Sequence, residues 1–147
     1  MTPDVNVLLA AARSDHPHHA TAREWLEDAL ARAATVAPLS LQPMVAASFL
    51  RLATHPKIFV QPMPVAKAAH FVDALLGMSG VGMAALGGEW PVFRRLCMEK
   101  KLAANDLPDA WLAAAVMHQG EHLVTFDRDF RRLLPPRHWT LLLAGGV

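Results

Sequence analysis

This sequence predicts an α/β domain with a parallel sheet covered by helices. Short apolar runs alternate with longer segments of helical periodicity, no hairpin signal such as Asn-Gly joins two strands, and the runs are uncharged enough to be buried on both faces. A chain of 147 residues that is 53% apolar has ample material for one core, so residues 1–147 are expected to form a single domain.

The elements follow in order. Residues 5–9, with Val5, Val7, Leu8 and Leu9, are expected to be a buried first strand after Pro3-Asp4. Residues 19–33 place Ala22, Leu26, Ala29 and Ala33 at helical spacing, with Arg23, Glu27 and Arg32 opposite. Residues 35–38 have the length of a second strand. Residues 41–52 predict an apolar helix whose near-absence of charge implies deep burial; it stops at Thr54-His55-Pro56, where the residue before proline leaves helical space. A third helix opens after Pro64 over residues 65–76, and residues 81–86 form a weak strand candidate. Residues 89–101 set Trp90, Phe93, Leu96 and Cys97 on one helix face and Arg94, Arg95, Lys100 and Lys101 on the other. Residues 107–118 predict a helix closed by Gln119-Gly120. A strand at 122–126, a short helix at 128–133 and a last strand at 139–143 complete the chain.

Composition excludes several classes. With 14 basic and 13 acidic side chains the net charge is +1, and no polybasic or acidic tail names a partner. The single cysteine, Cys97, excludes an internal disulfide framework and a cysteine-based zinc site, and it fits a reducing cytoplasm. The N-terminus lacks the layout of a signal peptide. The longest uncharged stretches, 36–50 and 74–88, are too short for a membrane span and are broken by Pro or Gly.

The acids carry the chemistry. In open parallel sheets, function gathers at the carboxyl ends of strands. Asp4, Asp106 with Asp109, and Asp127 with Asp129 are the acids expected there. Converging carboxylates repel one another unless they take up protons or share a cation, and an all-oxygen set suits Mg²⁺ or Mn²⁺. Each acid has a plainer reading. Asp106 can cap a helix with Asp109 in its first turn, and Asp127 can cap the next with Asp129 behind it. Asp4, preceding a strand on this reading, has no such role.

Whole segments narrow the choice. Asp4-Val-Asn-Val-Leu-Leu, Ser48-Phe-Leu-Arg-Leu-Ala-Thr-His-Pro, Asp109-Ala-Trp-Leu-Ala-Ala-Ala and Thr125-Phe-Asp-Arg-Asp-Phe appear in an order that resembles PIN-domain proteins, most of all the VapC-type ribonuclease toxins of bacterial toxin–antitoxin pairs. The resemblance covers essentially the full chain. It implies a three-layer α/β/α sandwich with a central parallel β-sheet and a metal-dependent endoribonuclease that hydrolyses RNA phosphodiester bonds with Mg²⁺ or Mn²⁺. It also implies a homodimer and a cognate VapB-like antitoxin whose C-terminal segment occupies the groove. Carried over, Asp4, Asp109 and Asp127 are the catalytic metal ligands, with Asp129 beside them. Asp106 is an accessory carboxylate, and Asn6 and Thr125 match supporting polar positions. The chain departs from the family at Ser48, where a glutamate is usual. No acid lies between Asp28 and Asp73 to replace it. Asp106 or Asp129 then compensates, or the domain is catalytically inactive and binds RNA or protein.

Other features have mundane readings beside them. His16-Pro-His18-His19 reads as a polar loop and helix start more readily than as a zinc site. Trp111 could stack on a base but is expected in the core. Eight of the 14 cations fall at Arg94, Arg95, Lys100, Lys101, Arg128, Arg131, Arg132 and Arg137, where they could meet RNA phosphates or simply be solvated.

Overall fold

The computed structural model describes residues 1–143. It contains five short strands, all paired in parallel where they pair, and six α-helices among the described residues. The strands are β1 (Thr2–Pro3), β2 (Leu39–Leu41), β3 (Val81–Met83), β4 (Leu123–Thr125) and β5 (Trp139–Leu141). One ladder runs β1-β4-β5 and a second joins β2 to β3. They lie edge to edge: the Ser40 amide donates to the Met1 carbonyl at 2.8 Å and Thr2 Oγ1 to the Ser40 carbonyl at 2.6 Å. The order across the molecule is therefore β3-β2-β1-β4-β5. This is the layered α/β architecture expected from the alternation of elements.

That order places β1 at a switch point. The chain leaves β1 toward β2 on one side, while β4 lies against its other side. The crevice outside the carboxyl ends of β1 and β4 is where such sheets bind ligands.

The helices are α1 (Val5–Ala12), α2 (His19–Ala33), α3 (Pro43–Ala53), α4 (Val65–Leu76), α5 (Trp90–Lys100) and α6 (Leu107–Gln119). The first corrects the expected strand over residues 5–9. Asp4 takes an extended conformation and its side chain accepts from the Val5 amide, so it starts a helix. Val7, Leu8, Leu9 and Ala10 are all buried, which erases the amphipathic rhythm that marks a helix in sequence. The true first strand is only two residues long.

Residues 35–38 are likewise not a strand. The amides of Thr35, Val36 and Ala37 all fold back on the Arg32 carbonyl, closing α2, and β2 begins after Pro38. In α3, deep burial is confined to Val45, Phe49 and Ala53, while Ala47 is exposed and Ser48 half-exposed, because one side of the helix faces an open cleft. Residues 128–132 form a 3₁₀ turn, and α6 ends at Gly120 with a left-handed φ of 66°. No helix among the described residues is long and apolar enough to cross a membrane.

Gly80 carries a packing constraint. Its φ is +79°, and a β-carbon there would lie 2.1 Å from the Ala33 carbonyl oxygen at the end of α2. Left-handed strain and a backbone clash both oppose any side chain. Gly80→Ala is expected to cost about 2–4 kcal/mol, read as a clear fall in Tm, whereas Gly82→Ala, with nothing within 4 Å of its would-be β-carbon, should escape that clash.

Candidate active site

Asp4 is the hinge of the site. It is 5% exposed, at the end of β1 and the start of α1. One oxygen accepts from the Val5 amide at 2.7 Å; the other accepts from Thr125 Oγ1 at 2.7 Å and from Asn6 Nδ2 at 3.2 Å. Thr125, fully buried at the end of β4, also accepts from the Asp127 amide at 3.0 Å. Asn6 Oδ1 accepts from the Phe126 amide at 3.2 Å. Asn6 and Thr125 thus tie the ends of β1 and β4 around one carboxylate.

Burial pushes the Asp4 carboxyl above its ordinary pKa; the hydrogen bonds from Thr125 and Val5 work against that, and the Asp127 charge adds to it. Asp109, half-buried in the first turn of α6, is pushed up to about 6, first by burial and then by the charges of Asp4, Asp127 and Asp129, with Arg132 opposing. Those four acids are therefore brought within electrostatic reach of one another. Asp127 also plays its plainer role, accepting from the Asp129 amide at 2.8 Å to start the 3₁₀ turn. Asp106 stands apart from them. It faces Arg132 at 3.7 Å, and its contact with the Ala103 amide is a long 3.4 Å.

Asp4 and Asp109 open into a cleft of about 920 Å³ that Ser48 also lines. No carboxylate projects from α3 there. A different acid reaches the cleft, and nothing in the sequence singled it out. Glu89 is 3% exposed; its Oε1 accepts from Trp111 Nε1 and its Oε2 from the Gly87 amide, both at 2.7 Å. Burial works against its charge, but the Trp111 indole, the backbone amides of Glu89 and Gly87 and the His118 charge together outweigh that and hold its pKa below the ordinary value. In sequence, Gly87-Gly88-Glu89-Trp90-Pro91 reads as a helix start, and its partner lies 22 positions away.

Trp111 corrects the expectation that it packs in the core. It is 38% exposed, two residues beyond Asp109, with its indole nitrogen fixed by Glu89. Trp90 is 61% exposed and, with Phe93, lines the same cleft. The histidines behave as a loop: the His18 amide donates to His16 Nδ1, His19 Nδ1 donates to the Ala10 carbonyl, and His18 stacks on Phe126 at 4.8 Å.

Asp4, Asp109 and Asp127 supply only oxygen donors; Asp4 Oδ2 is engaged twice, by Thr125 and Asn6, whereas Oδ1 accepts only from the Val5 amide and keeps a lone pair. Among the described residues, no three His, Cys, Asp or Glu side chains already close into a ready coordination shell. The chemistry of the donor set nonetheless fits a hard divalent ion, because a cation offsets the repulsion that raises Asp109.

Comparison with known proteins identifies the family. The PIN domain family model matches residues 1–133. Ribonuclease VapC31 of Mycobacterium tuberculosis is 40% identical over 140 residues, covering 92% of this chain and 94% of the relative. Ribonuclease VapC25 of the same species is 40% identical over 136 residues, with the same coverage. Among solved structures, that of VapBC2 from Rickettsia felis bound to a promoter DNA fragment aligns over 95% of this chain and 96% of that one. Its TM-score is 0.62 at 13% identity, a likeness of fold. The chain belongs to the PIN-domain family.

Proposed function

We propose that this chain is a metal-dependent endoribonuclease of the VapC type, the toxin of a VapBC-type pair, built as one PIN-like domain over residues 1–147. The observation that carries the reading is the Asp109 carboxyl, held at a pKa of about 6 by burial and three neighbouring acids at the carboxyl edge of β1 and β4. The relatives named ribonucleases support the reaction class.

Asp4, Asp109 and Asp127 would hold Mg²⁺ or Mn²⁺, with Asp129 nearby. When bound, the ion supplies a water of lowered pKa and a counter-charge for the phosphoryl oxygens. The chain's own residues do the positioning. Thr125 and Asn6 fix the Asp4 carboxylate, the Asp127 backbone hangs from Thr125, and α6 presents Asp109 from its first turn. Asp106 acts at one remove, by engaging Arg132. RNA is the substrate, a VapB-like antitoxin the partner, and a homodimer the expected assembly. The one observation favouring a catalytically inactive domain is Ser48, which brings no carboxylate to the cleft.

The decisive measurement is cleavage of purified tRNA, rRNA and mRNA with Mn²⁺ and with EDTA. EDTA should abolish it, and Asp4→Asn or Asp109→Asn should each lower it by more than about 100-fold, since even supporting residues of a metal site cost 10–100-fold. Cleavage surviving EDTA and both substitutions would sink the metal mechanism; no cleavage with any divalent ion would favour the inactive domain.

The charge repulsion has its own readout. Folded Asp109 binds its proton more tightly than in the unfolded chain, so its contribution to stability is present near pH 4 and is lost as pH rises through about 6. In metal-free buffer, Asp109→Asn should raise Tm at pH 7 and flatten the decline between those values. Mn²⁺ should raise the Tm of the parent and much less that of the variant. A Tm that ignores both pH and metal in this range is the contrary result.

A further inference from the structure

We infer that the cleft between α5 and the turn after β4 is a groove for the phosphate backbone of the RNA strand that flanks the acid site; the inference rests on the ribonuclease reading above. This second cleft, of about 460 Å³, is lined by Arg95 and Lys100 from α5 and by Arg131 and Arg132 from the 3₁₀ turn, with Glu99 its one acid. Arg95, Lys100 and Arg131 make no ion pair among the described residues, and Arg132 reaches only Asp106 at 3.7 Å. Four cations around one opening repel each other, and an external polyanion is what makes such a grouping favourable.

The placement says which polyanion. Arg132 belongs to both regions: it lines the groove, touches Asp106 and opposes the rise in the Asp109 pKa. A strand cut at the acids must continue past them, and Arg132 is the groove cation whose charge reaches Asp109. Arg95 and Lys100 lie five residues apart on α5, about 7.5 Å along the helix axis, a rise that lets them meet successive phosphates. No aromatic side chain lines this groove, whereas Trp90, Phe93 and Trp111 line the other cleft. Cations without stacking surfaces bind backbone and not bases. The groove therefore holds RNA without regard to sequence and leaves base contacts to the aromatic cleft.

The test uses the full chain carrying Asp109→Asn, so that RNA stays intact, and a fluorescein-labelled single-stranded RNA of mixed sequence. Affinity is read by anisotropy across a salt series. Adding Arg95→Gln, Lys100→Gln and Arg131→Gln should reduce the slope of log affinity against log salt by about 2, at about 0.7 per cation on a single strand. A fourfold rise in salt then costs the variant about 20-fold less affinity than it costs the parent. Arg95→Lys with Arg131→Lys, which keeps the charges, should retain most of the parental slope, with both variants melting like the parent. An unchanged slope in the Gln variant overturns the groove. So does unchanged RNA affinity together with lost binding of an acidic polyglutamate peptide, which would make the cleft a protein site. The slope needs no catalysis: a reduced slope, where the parent chain with Asp109 intact never cuts RNA with any divalent ion, would sustain the groove and refute the nuclease, and cleavage by the parent with an unchanged slope would do the reverse.

Discussion

A buried carboxylate needs partners, and the rest of this structure depends on how Asp4 obtains them. Its bond with Thr125 joins positions 121 residues apart and is itself buried. Left unpaired, a group so placed would cost several kcal/mol or give up its charge. The partners it has are the ends of the two strands at the switch point and the first amide of α1. One side chain thereby starts a helix, clamps β1 beside β4 and faces the cleft. Those strands are two and three residues long, too short for ladder hydrogen bonds alone to fix them. The polar clamp of Asp4, Asn6 and Thr125 does at the sheet edge what longer strands do elsewhere.

Much of this was legible in the sequence where local chemistry decides the outcome. The α4 boundaries match because Pro64 opens the helix and Gly77 closes it. The acids at the ends of β1 and β4 stand out because a carboxylate beside an apolar run is costly without a purpose. Asp4, read from the sequence as preceding a strand and as no helix cap, in fact follows β1 and caps α1. The misreading of α1 has a definite cause: a helix buried on nearly every side has no polar face, and short apolar runs do not separate strand from helix. Glu89 and Trp111 were not legible for the opposite reason. Each is ordinary alone, and what makes them a pair is the packing of α5 on α6, which no window of sequence contains.

The site is also where the fold works against itself. Asp109, Asp4, Asp127 and Asp129 are held close enough to raise a pKa, an arrangement that folding alone disfavours. Ala110 and residues 112–116 of α6 are buried, so the helix that presents Asp109 is anchored along most of its length by apolar packing. Rigid anchoring of α6 and the clamp at Asp4 hold the carboxylates from two sides, and neither can swing away to relieve the repulsion. Local strain of this kind, supported by a firm surround, is expected where geometry serves chemistry.

Charge segregation follows from the same placement. A net charge of +1 describes neither face of the molecule. The acids converge where β1 and β4 end, and the cations of α5 and the 3₁₀ turn converge one element away. A phosphodiester approaching the acids alone would be repelled; approaching beside four cations, it meets attraction first and repulsion only at the reacting phosphate. That residual repulsion is the part a divalent ion would remove. Arg132 sits where the two fields overlap, close enough to ease Asp109 and to face Asp106, yet open to the groove. Removing its charge would deepen the repulsion at Asp109 and weaken the path leading to it, so the acid site and the basic groove are coupled through one guanidinium.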